Sequence, residues 1–330
     1  MIRSQNHSSF PKNGDRPMDQ ELRRDQRRHA AGRIDAAQLS EKVDEITAIV
    51  VAQQARAFVD IVTDGQIRWN GPCSHPASGM RGTSAGPLTR WFDTNFYDRR
   101  VVIEGELARG DSSWVKDYRV AQDVSHSKPV KPVLPGPVSF ARLADDRHYG
   151  DLDRCADAVA AVLAEEVAAL KEAGATVFQF DEPMLCRHPE DLDRLCRTLK
   201  PLVEAAGDGA TTILSTYFGE IAELGAGVAQ IPTTHLGLDL TRGDENLALL
   251  AHWPAGRGVA LGLFDARHCE IEDASDVCAR LEPYRDDLLA RDVIVGPNAG
   301  LELVPQDQAF DKLLHARYVV EQLTKEWPWP

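Results

Sequence analysis

The sequence predicts an α/β protein folded as a (β/α)8 TIM barrel with an N-terminal helical extension. Three observations support this: short apolar strands alternate with amphipathic helices after Lys131, the chain has 330 residues, and it contains neither a GxGxxG nor a GxxxxGK[ST] motif. Alternating strands and helices form a parallel sheet, because each crossover helix covers one face of it. A strand count near eight at this length favours a barrel over an open nucleotide-binding sheet.

The N-terminal part divides into two predicted segments. Residues 1–16 are polar and are expected to be irregular, and residues 17–330 are expected to form a single barrel domain. The helical extension is predicted to begin at Met18. Asp35 and Gln38 have the spacing of a capping box, in which each side chain satisfies a free backbone N–H of the other. The apolar positions that follow Ser40 recur at helical spacing and predict a buried stripe.

Periodicity then predicts the remaining elements in order. Residues 70–90 are rich in Gly, Pro and Ser and are expected to be irregular. Strands are predicted at 58–62, 132–134, 176–180, 211–214, 235–239, 259–264 and 293–295, and helices at 151–173, 192–206, 247–252, 274–284 and 309–323.

Composition excludes several classes of protein. The formal charge of −14 argues against a nucleic-acid binder, which needs clustered Lys and Arg. No apolar run approaches the roughly 18 residues of a membrane span, and the polar N-terminus does not resemble a secretory signal. The six cysteines form no CxxC pair and are expected to be reduced thiols. We therefore expect a cytoplasmic protein.

Polar residues gather where the predicted strands end, which is where barrels carry their functional sites. Carboxylates there suit the ammonium group of a small amino acid, and arginines suit its carboxylate. The candidate catalytic residues are Asp181, Tyr217 and Asp265. The candidate substrate-binding residues are Gln66, Glu182, Ser215, Asp239, Arg242, Arg267 and Asn298, with Ser9 added by the resemblance described below.

Each candidate also has a structural interpretation. Asp181 and Glu182 could cap the next segment, Asp265 and Arg267 could form a local ion pair, and Tyr217 could be a core aromatic. Three pairs could supply metal ligands, namely Cys73 with His75, Cys186 with His188, and His268 with Cys269. None of them has the spacing of a structural zinc site, and no metal ligand is predicted.

The same strand ends resemble the cobalamin-independent methionine synthase family. The segment 178–185, FQFDEPML, is similar to the family's QIDEPAL signature, and the resemblance extends over most of residues 8–320. Further similar segments, in the family's order, are 9–11, 63–69, 90–95, 131–139, 239–244 and 296–301. The chain has the length of the family's single-barrel members.

This resemblance implies a barrel that handles an amino-acid thiol and a one-carbon donor, which is a reduced folate or a methylcorrinoid. In the family's catalytic barrel, zinc ionises the thiol of homocysteine. Here the family's zinc-ligand positions fall on Thr216, Phe218, Asp239 and Ala299, and only Asp239 among them could still coordinate zinc. The family position that binds the substrate ammonium is Gln66 in this sequence. The segment 216–219 instead resembles the zinc-free N-terminal barrel of the long enzymes.

Two functions of different classes follow. The first is an enzyme that keeps an amino-acid pocket and performs methyl or one-carbon transfer, or a divergent zinc-independent reaction. Asp181 would bind the ammonium group or act as a base, Arg242 or Arg267 would hold the carboxylate, and Tyr217 would donate a proton. The alternative is a non-catalytic barrel that binds folate or docks on a partner protein. A relocated metal site at His235, Asp239, His268 or Cys269 is a third hypothesis.

Overall fold

A computed structural model describes residues 1–14 and 20–329 of the chain. The predicted start of the helical extension at Met18 and the predicted boundary between residues 16 and 17 lie outside the described residues. Of the helices in the described ranges, none combines the length and the apolar content that crossing a bilayer requires.

The centre of the fold is a curled, seven-stranded parallel sheet with helices packed on its outer face. Its strands are β1 (Ile2–Ser4), β4 (Val133–Pro135), β6 (Val177–Asp181), β7 (Thr211–Ser215), β8 (His235–Asp239), β9 (Gly258–Phe264) and β10 (Val293–Pro297). They are ordered β1-β10-β9-β8-β7-β6-β4, and every pairing is parallel. The mixed α/β architecture and its parallel sheet confirm the alternation read from the sequence.

The two edges of this sheet approach the same short segment, Ile61–Val62. Gln5, next to β1, forms an isolated parallel bridge with Ile61, and Val62 forms another with Val130, just before β4. The predicted strand at 58–62 is thus reduced to two bridging residues. Phe58 leaves the extended conformation, with a φ of 62°, and its side chain is exposed.

Ten α-helices lie within the described residues. They are α1 (Glu21–Ala30), α2 (Ala36–Arg56), α3 (Ser74–Ser78), α4 (Trp114–Val124), α5 (Pro137–Leu143), α6 (Leu152–Glu172), α7 (Leu192–Ala206), α8 (Ala274–Leu281), α9 (Arg285–Leu289) and α10 (Gln306–Glu326). Short 3-10 helices span Pro183–Cys186, Pro189–Asp191, Ala222–Gln230, Glu245–Ala251, Glu282–Tyr284 and Leu301–Leu303. The capping box predicted at Asp35 and Gln38 is confirmed at the start of α2.

The expectation that residues 1–16 are irregular is wrong for residues 2–4. These residues form β1, which pairs with β10 near the other end of the sequence, with Ile2 opposite Val293. A strand of three residues with one large apolar side chain is too short to show alternation. Its stability comes from a partner almost three hundred residues away, which local pattern does not reveal.

The expectation of an irregular excursion at 70–90 is also wrong, because most of it belongs to a long antiparallel hairpin. The hairpin consists of β2 (Met80–Arg90) and β3 (Tyr97–Arg109), and the short β5 (Asp145–Asp146) pairs with β3. The register shifts between Arg81 and Thr83 and again between Ala85 and Leu88. These bulges interrupt the alternation of side chains, so the strand signal is lost in the sequence.

The inside of the curled sheet has two levels. The lower level is an apolar cluster, Ile61, Val177, Ile213, Ala260 and Ile294, which is separate from the main core between sheet and helices. Side chains alternate between the faces of a strand, so the next inward-facing positions on β6 and β7 are Gln179 and Ser215. The upper level, toward the carboxyl ends of the strands, is therefore polar.

Candidate functional site

A cleft opens at the carboxyl ends of the strands. Asp181, Tyr217 and Glu302 line its narrow inner part. Ser9, Gln66 and Glu302 also line a wider outer part, which adds Lys12 and Asn70. The two parts form one cleft that narrows toward Asp181.

Asp181 is the last residue of β6 and faces the inner cleft. Its Oδ1 accepts a hydrogen bond of 2.7 Å from Gln179 Nε2. Burial raises the pKa of Asp181 to about 7, although the bond from Gln179 and the charge of Lys131 act in the opposite direction. The carboxyl group is therefore poised to exchange a proton near neutral pH.

Tyr217 stands beside Asp181 and is almost fully buried. Burial, reinforced by the carboxylate of Asp181, raises the pKa of the Tyr217 phenol well above its ordinary value. The phenol therefore stays protonated at neutral pH and can donate its proton in a hydrogen bond. Its ring packs edge-on against His7 and Phe218, with centroid separations of 5.5 and 4.9 Å.

A buried polar layer supports the floor of the cleft. Lys131 Nζ donates to the side-chain oxygens of Gln5 and Gln179. His7 Nε2 lies 2.8 Å from Ser215 Oγ, and His7 Nδ1 lies 2.9 Å from Ser8 Oγ. Ser215, predicted to touch the substrate, is thus a partner of His7 beneath the cleft.

The entrance carries a second acid that the sequence analysis did not identify. Glu302 accepts a hydrogen bond from Ser9 Oγ, and burial raises its pKa. Lys12 donates to the backbone oxygen of Trp69, and burial lowers its pKa to about 8. Gln66 lines both parts of the cleft, in a left-handed backbone conformation with a φ of 52°.

The walls of the cleft are aromatic, and the hairpin supplies part of them. Trp91, Thr94 and Phe96 at the tip of the β2–β3 hairpin line the inner cleft together with Trp69 and Phe218. The tip is held by Arg187, whose guanidinium lies 4.8 Å from the ring centroid of Phe92 and 3.5 Å from the carboxylate of Asp93. Because residues 70–90 were expected to be irregular, no pattern in the sequence predicted that this tip lies over the strand ends.

Glu182, predicted to bind substrate, is fully buried and points away from the cleft. Its two oxygens accept hydrogen bonds from the backbone N–H groups of Val138 (3.0 Å) and Ser139 (2.7 Å) in the first turn of α5. These N–H groups have no partner within the helix, and a carboxylate satisfies them while interacting favourably with the helix dipole. The capping interpretation is therefore wrong about the segment: Glu182 caps α5, which precedes it in the chain, and its side chain makes no capping bond to the 3-10 helix that follows.

Asp239 and Asn298 lie at the ends of β8 and β10 but bond to neighbouring loops. Asp239 Oδ2 accepts from Phe218 N (2.8 Å) and from Asn298 Nδ2 (3.0 Å). Asp239 Oδ1 accepts from the N–H and the hydroxyl of Thr241, and Asn298 Oδ1 accepts from Ala266 N. The pair therefore holds Phe218 in its left-handed conformation, with a φ of 64°, and neither residue lines the cleft.

The remaining charged candidates also lie outside the cleft. Arg242 is exposed. Arg267 pairs with Asp265 at 3.2 Å, and its guanidinium lies 4.8 Å from the ring centroid of Phe218. Burial opposes ionisation of Asp265, but the bonds and charge of Arg267 lower its pKa overall. The structure thus favours the local ion pair that the sequence left open.

The residues present do not fit a zinc ion. Thr216 donates its hydroxyl proton to Gly237 O, and both oxygens of Asp239 already accept hydrogen bonds. Within residues 1–14 and 20–329, no three His, Cys, Asp or Glu side chains come together as metal ligands.

The relocated metal site is not assembled either. His235 begins β8 and lies 3.1 Å from Asp292, whereas Asp239 ends the same strand, roughly 13 Å away at about 3.3 Å per residue. His268 and Cys269 are exposed on the loop after β9.

The chain is similar in sequence to known proteins over most of its length. The family model described as cobalamin-independent synthase, N-terminal domain, matches residues 75–288. A methionine synthase of Sulfurisphaera tokodaii is 26% identical over 304 residues, which cover 92% of this chain and 88% of that protein. A 5-methyltetrahydropteroyltriglutamate–homocysteine methyltransferase of Salinibacter ruber is 33% identical over 238 residues, 68% of this chain but 30% of that longer protein.

Solved structures show the same fold. The B12-independent methionine synthase of Shewanella sp. W3-18-1, solved in complex with selenomethionine, superposes with a TM-score of 0.79 at 19% identity, over 98% of both chains. A B12-independent methionine synthase described as putative, from Listeria monocytogenes, gives a TM-score of 0.75 at 14% identity, over 96% of both chains.

The protein belongs to the class of α/β enzymes. Its parallel sheet is curled, and an acidic cleft with aromatic walls opens at the carboxyl ends of the strands. The family model covers more than half of the chain and names the family. The chain belongs to the cobalamin-independent methionine synthase family and is an enzyme of the methionine-synthase-like methyltransferases. The resemblance identified in the sequence is confirmed.

Proposed function

We propose that the protein is a methyltransferase that binds the amino group of a small amino acid at Asp181 without a zinc ion. The observation that carries this proposal is the charge of the inner cleft. Asp181 and Glu302 both line it, and no Lys, Arg or His is among the described residues that do so. Two carboxylates in a confined space favour a ligand with a positive charge, which an amino acid supplies through its ammonium group.

The neighbouring residues have distinct roles in this proposal. Tyr217, protonated at neutral pH, donates a hydrogen bond or a proton to the bound substrate. Gln66 offers a neutral donor to the substrate carboxylate, because Arg242 and Arg267 do not line the cleft and Ser9 already donates its hydroxyl proton to Glu302. Glu182, Asp239 and Asn298 hold the loops that shape the cleft.

The outer part of the cleft suits a larger, flat molecule. It is the wider and more open of the two parts, and Trp69 and Phe96 both line it. The Salinibacter ruber relative is named for a methylated folate and homocysteine. A reduced folate bound in the outer cleft would supply the methyl group, and the inner cleft would hold the acceptor.

We also infer that the sheet closes into the predicted (β/α)8 barrel. In this view Ile61–Val62 is the eighth strand, since it bridges the residues beside both edge strands. The buried side chain of Ile61 belongs to the same inner apolar cluster as residues of β6, β7, β9 and β10, which supports closure.

The experiment that tests the function is a calorimetric titration of the protein with L-selenomethionine. We expect binding to the wild type and a loss of at least about tenfold in affinity for Asp181→Asn, because one charge-assisted contact is worth roughly 1.5–3 kcal/mol. Asp276→Asn, at an exposed position of α8, is the matched control and should bind like the wild type. Equal affinity of Asp181→Asn and the wild type would refute the role of Asp181.

A second candidate function rests on the family model, which describes an N-terminal domain. In that case the protein binds a folate without turning over an amino acid. Incubation with methyltetrahydrofolate and homocysteine, followed by mass spectrometry for methionine, separates the two. Folate binding together with no amino-acid binding and no methionine would favour the binding module.

A further inference from the structure

Lys131 is a completely buried lysine at the centre of the polar layer below Asp181. Its side chain has no exposure to solvent, and its Nζ donates to Gln5 and to Gln179. Lys131 is absent from the residues that line either part of the cleft. A buried lysine is costly unless its environment uses the charge, so this residue requires an explanation.

The bond from Lys131 determines how the amide of Gln179 is oriented. A lysine ammonium has only donors, so the atom of Gln179 that faces it must be the amide oxygen. The amide nitrogen then points to the other side, where it donates to Asp181 Oδ1 at 2.7 Å. With the opposite orientation, NH2 would face Lys131, and the amide oxygen would face the carboxylate of Asp181.

Building on the proposed function, we propose that Lys131 is a positioning residue, which keeps Asp181 ionised and aimed into the cleft by acting through Gln179. Lys131 does not touch the substrate. It supplies a buried positive charge that balances the carboxylate, and it fixes the donor that holds Oδ1 in place. The ionised carboxylate is the form that binds an ammonium group.

The groups around this pair all bear on its titration. Lys131 and the bond from Gln179 lower the pKa of Asp181, whereas burial and the charge of Glu302 raise it. The bond from Tyr217 lowers it further, and His7 adjoins Lys131 and is kept neutral by burial. Burial also lowers the pKa of Lys131, to about 7. Loss of the lysine charge therefore leaves Asp181 protonated over a wider range of pH.

The test is a pH titration of the Asp181 carboxyl carbon by NMR, on ligand-free protein with isotope-labelled aspartate. The spectrum of Asp181→Asn assigns the resonance. We expect its midpoint to rise by at least about one pH unit in Lys131→Met, which removes the charge, and to rise also in Gln179→Leu, which keeps the charge and removes the bridge. A merely structural role would change the melting temperature and leave this midpoint in place.

Lys312→Met is the matched control, because Lys312 is another completely buried lysine, paired with Glu272 at 3.2 Å. Its loss should not move the Asp181 midpoint. An unchanged midpoint in folded Lys131→Met overturns the inference. If Lys131→Met does not fold, an unchanged midpoint in Gln179→Leu overturns it. Because no ligand is present, this result is independent of the calorimetric test: absence of selenomethionine binding to the wild type would refute the proposed function and leave the coupling standing.

Discussion

Asp239→Asn tests whether the carboxylate at the end of β8 serves the substrate or the fold. The substitution keeps the shape of the side chain and replaces one acceptor oxygen by an NH2 donor. Asp239 accepts four hydrogen bonds, two at each oxygen. At the Oδ2 end an NH2 would face the N–H of Phe218 and the amide of Asn298. At the Oδ1 end it would face the N–H of Thr241.

The expected magnitude follows from this count. Asn298 cannot turn its amide to help, because its own oxygen accepts from Ala266 N. Either orientation of the new amide therefore leaves at least one partly buried backbone N–H without an acceptor and replaces the remaining charge-assisted bonds by neutral ones. A bond to a charged group is worth roughly 1.5–3 kcal/mol, so we expect the free energy of unfolding to fall by about 3 kcal/mol.

The assay is urea-induced unfolding followed by circular dichroism, with Asp181→Asn as the comparison. Asp181 is also the last residue of a parallel strand, but burial raises its pKa, so the neutral amide should leave the unfolding midpoint at or above that of the wild type. Wild-type stability of Asp239→Asn, combined with lost selenomethionine binding, would show that Asp239 contacts the ligand and that our assignment is wrong.

The remaining predictions concern the rim, the pH dependence and the hairpin. In Gly300→Ala the new methyl group would overlap Ser9 Oγ and Glu302 Oε2. We therefore expect the affinity for selenomethionine to fall about tenfold. Unchanged affinity would contradict the close packing of Gly300 against Ser9 and Glu302. Burial, with Asp117 adding to it, raises the pKa of Asp64 to about 7, above its unfolded value of about 3.9. The stability that Asp64 contributes is therefore present below about pH 4 and is lost as the pH rises through about 7. In urea unfolding, Asp64→Asn should be more stable than the wild type at about pH 8 but not at about pH 4. Arg187→Ala removes the contacts to Phe92 and Asp93, each worth under about 1 kcal/mol. The melting temperature should therefore hardly change, whereas hydrogen exchange of the backbone amides at 91–96 should increase. Unchanged exchange would show that other contacts hold the tip.

The sequence was sufficient to place Asp181, Tyr217 and Gln66 at one cleft, because the carboxyl ends of parallel strands meet at one side of the sheet. Ser9, which also lines the cleft, was added by the family resemblance. It could not distinguish these residues from Glu182, Asp239 and Asn298, which also follow predicted strands. The latter three bond to free backbone N–H groups in α5 and in the loops at 218 and 266, and which N–H groups lack partners depends on the folded chain.

Two features were missed for different reasons. Lys131 and His7 face the inside of the sheet, where polar residues are stabilised by side chains from other strands that no local pattern brings together. Strand β2 was missed because it contains Gly82, Gly86 and Pro87, which disfavour strands. Gly82 has a φ of 87° and lies beside the first register shift, where an added Cβ would collide with the Glu106 backbone.

The apolar cluster on the inside of the sheet has a consequence for proton exchange. Ile61, Val177, Ile213, Ala260 and Ile294 are all buried, and they lie on the amino-terminal side of the polar layer. Such an apolar cluster offers water no hydrogen-bond partners, so water does not pass through it. In the closed barrel proposed above, protons that Lys131, His7 or Asp181 take up or release would enter and leave through the cleft. A ligand that fills the cleft would then keep these groups in the protonation state that they had when it bound.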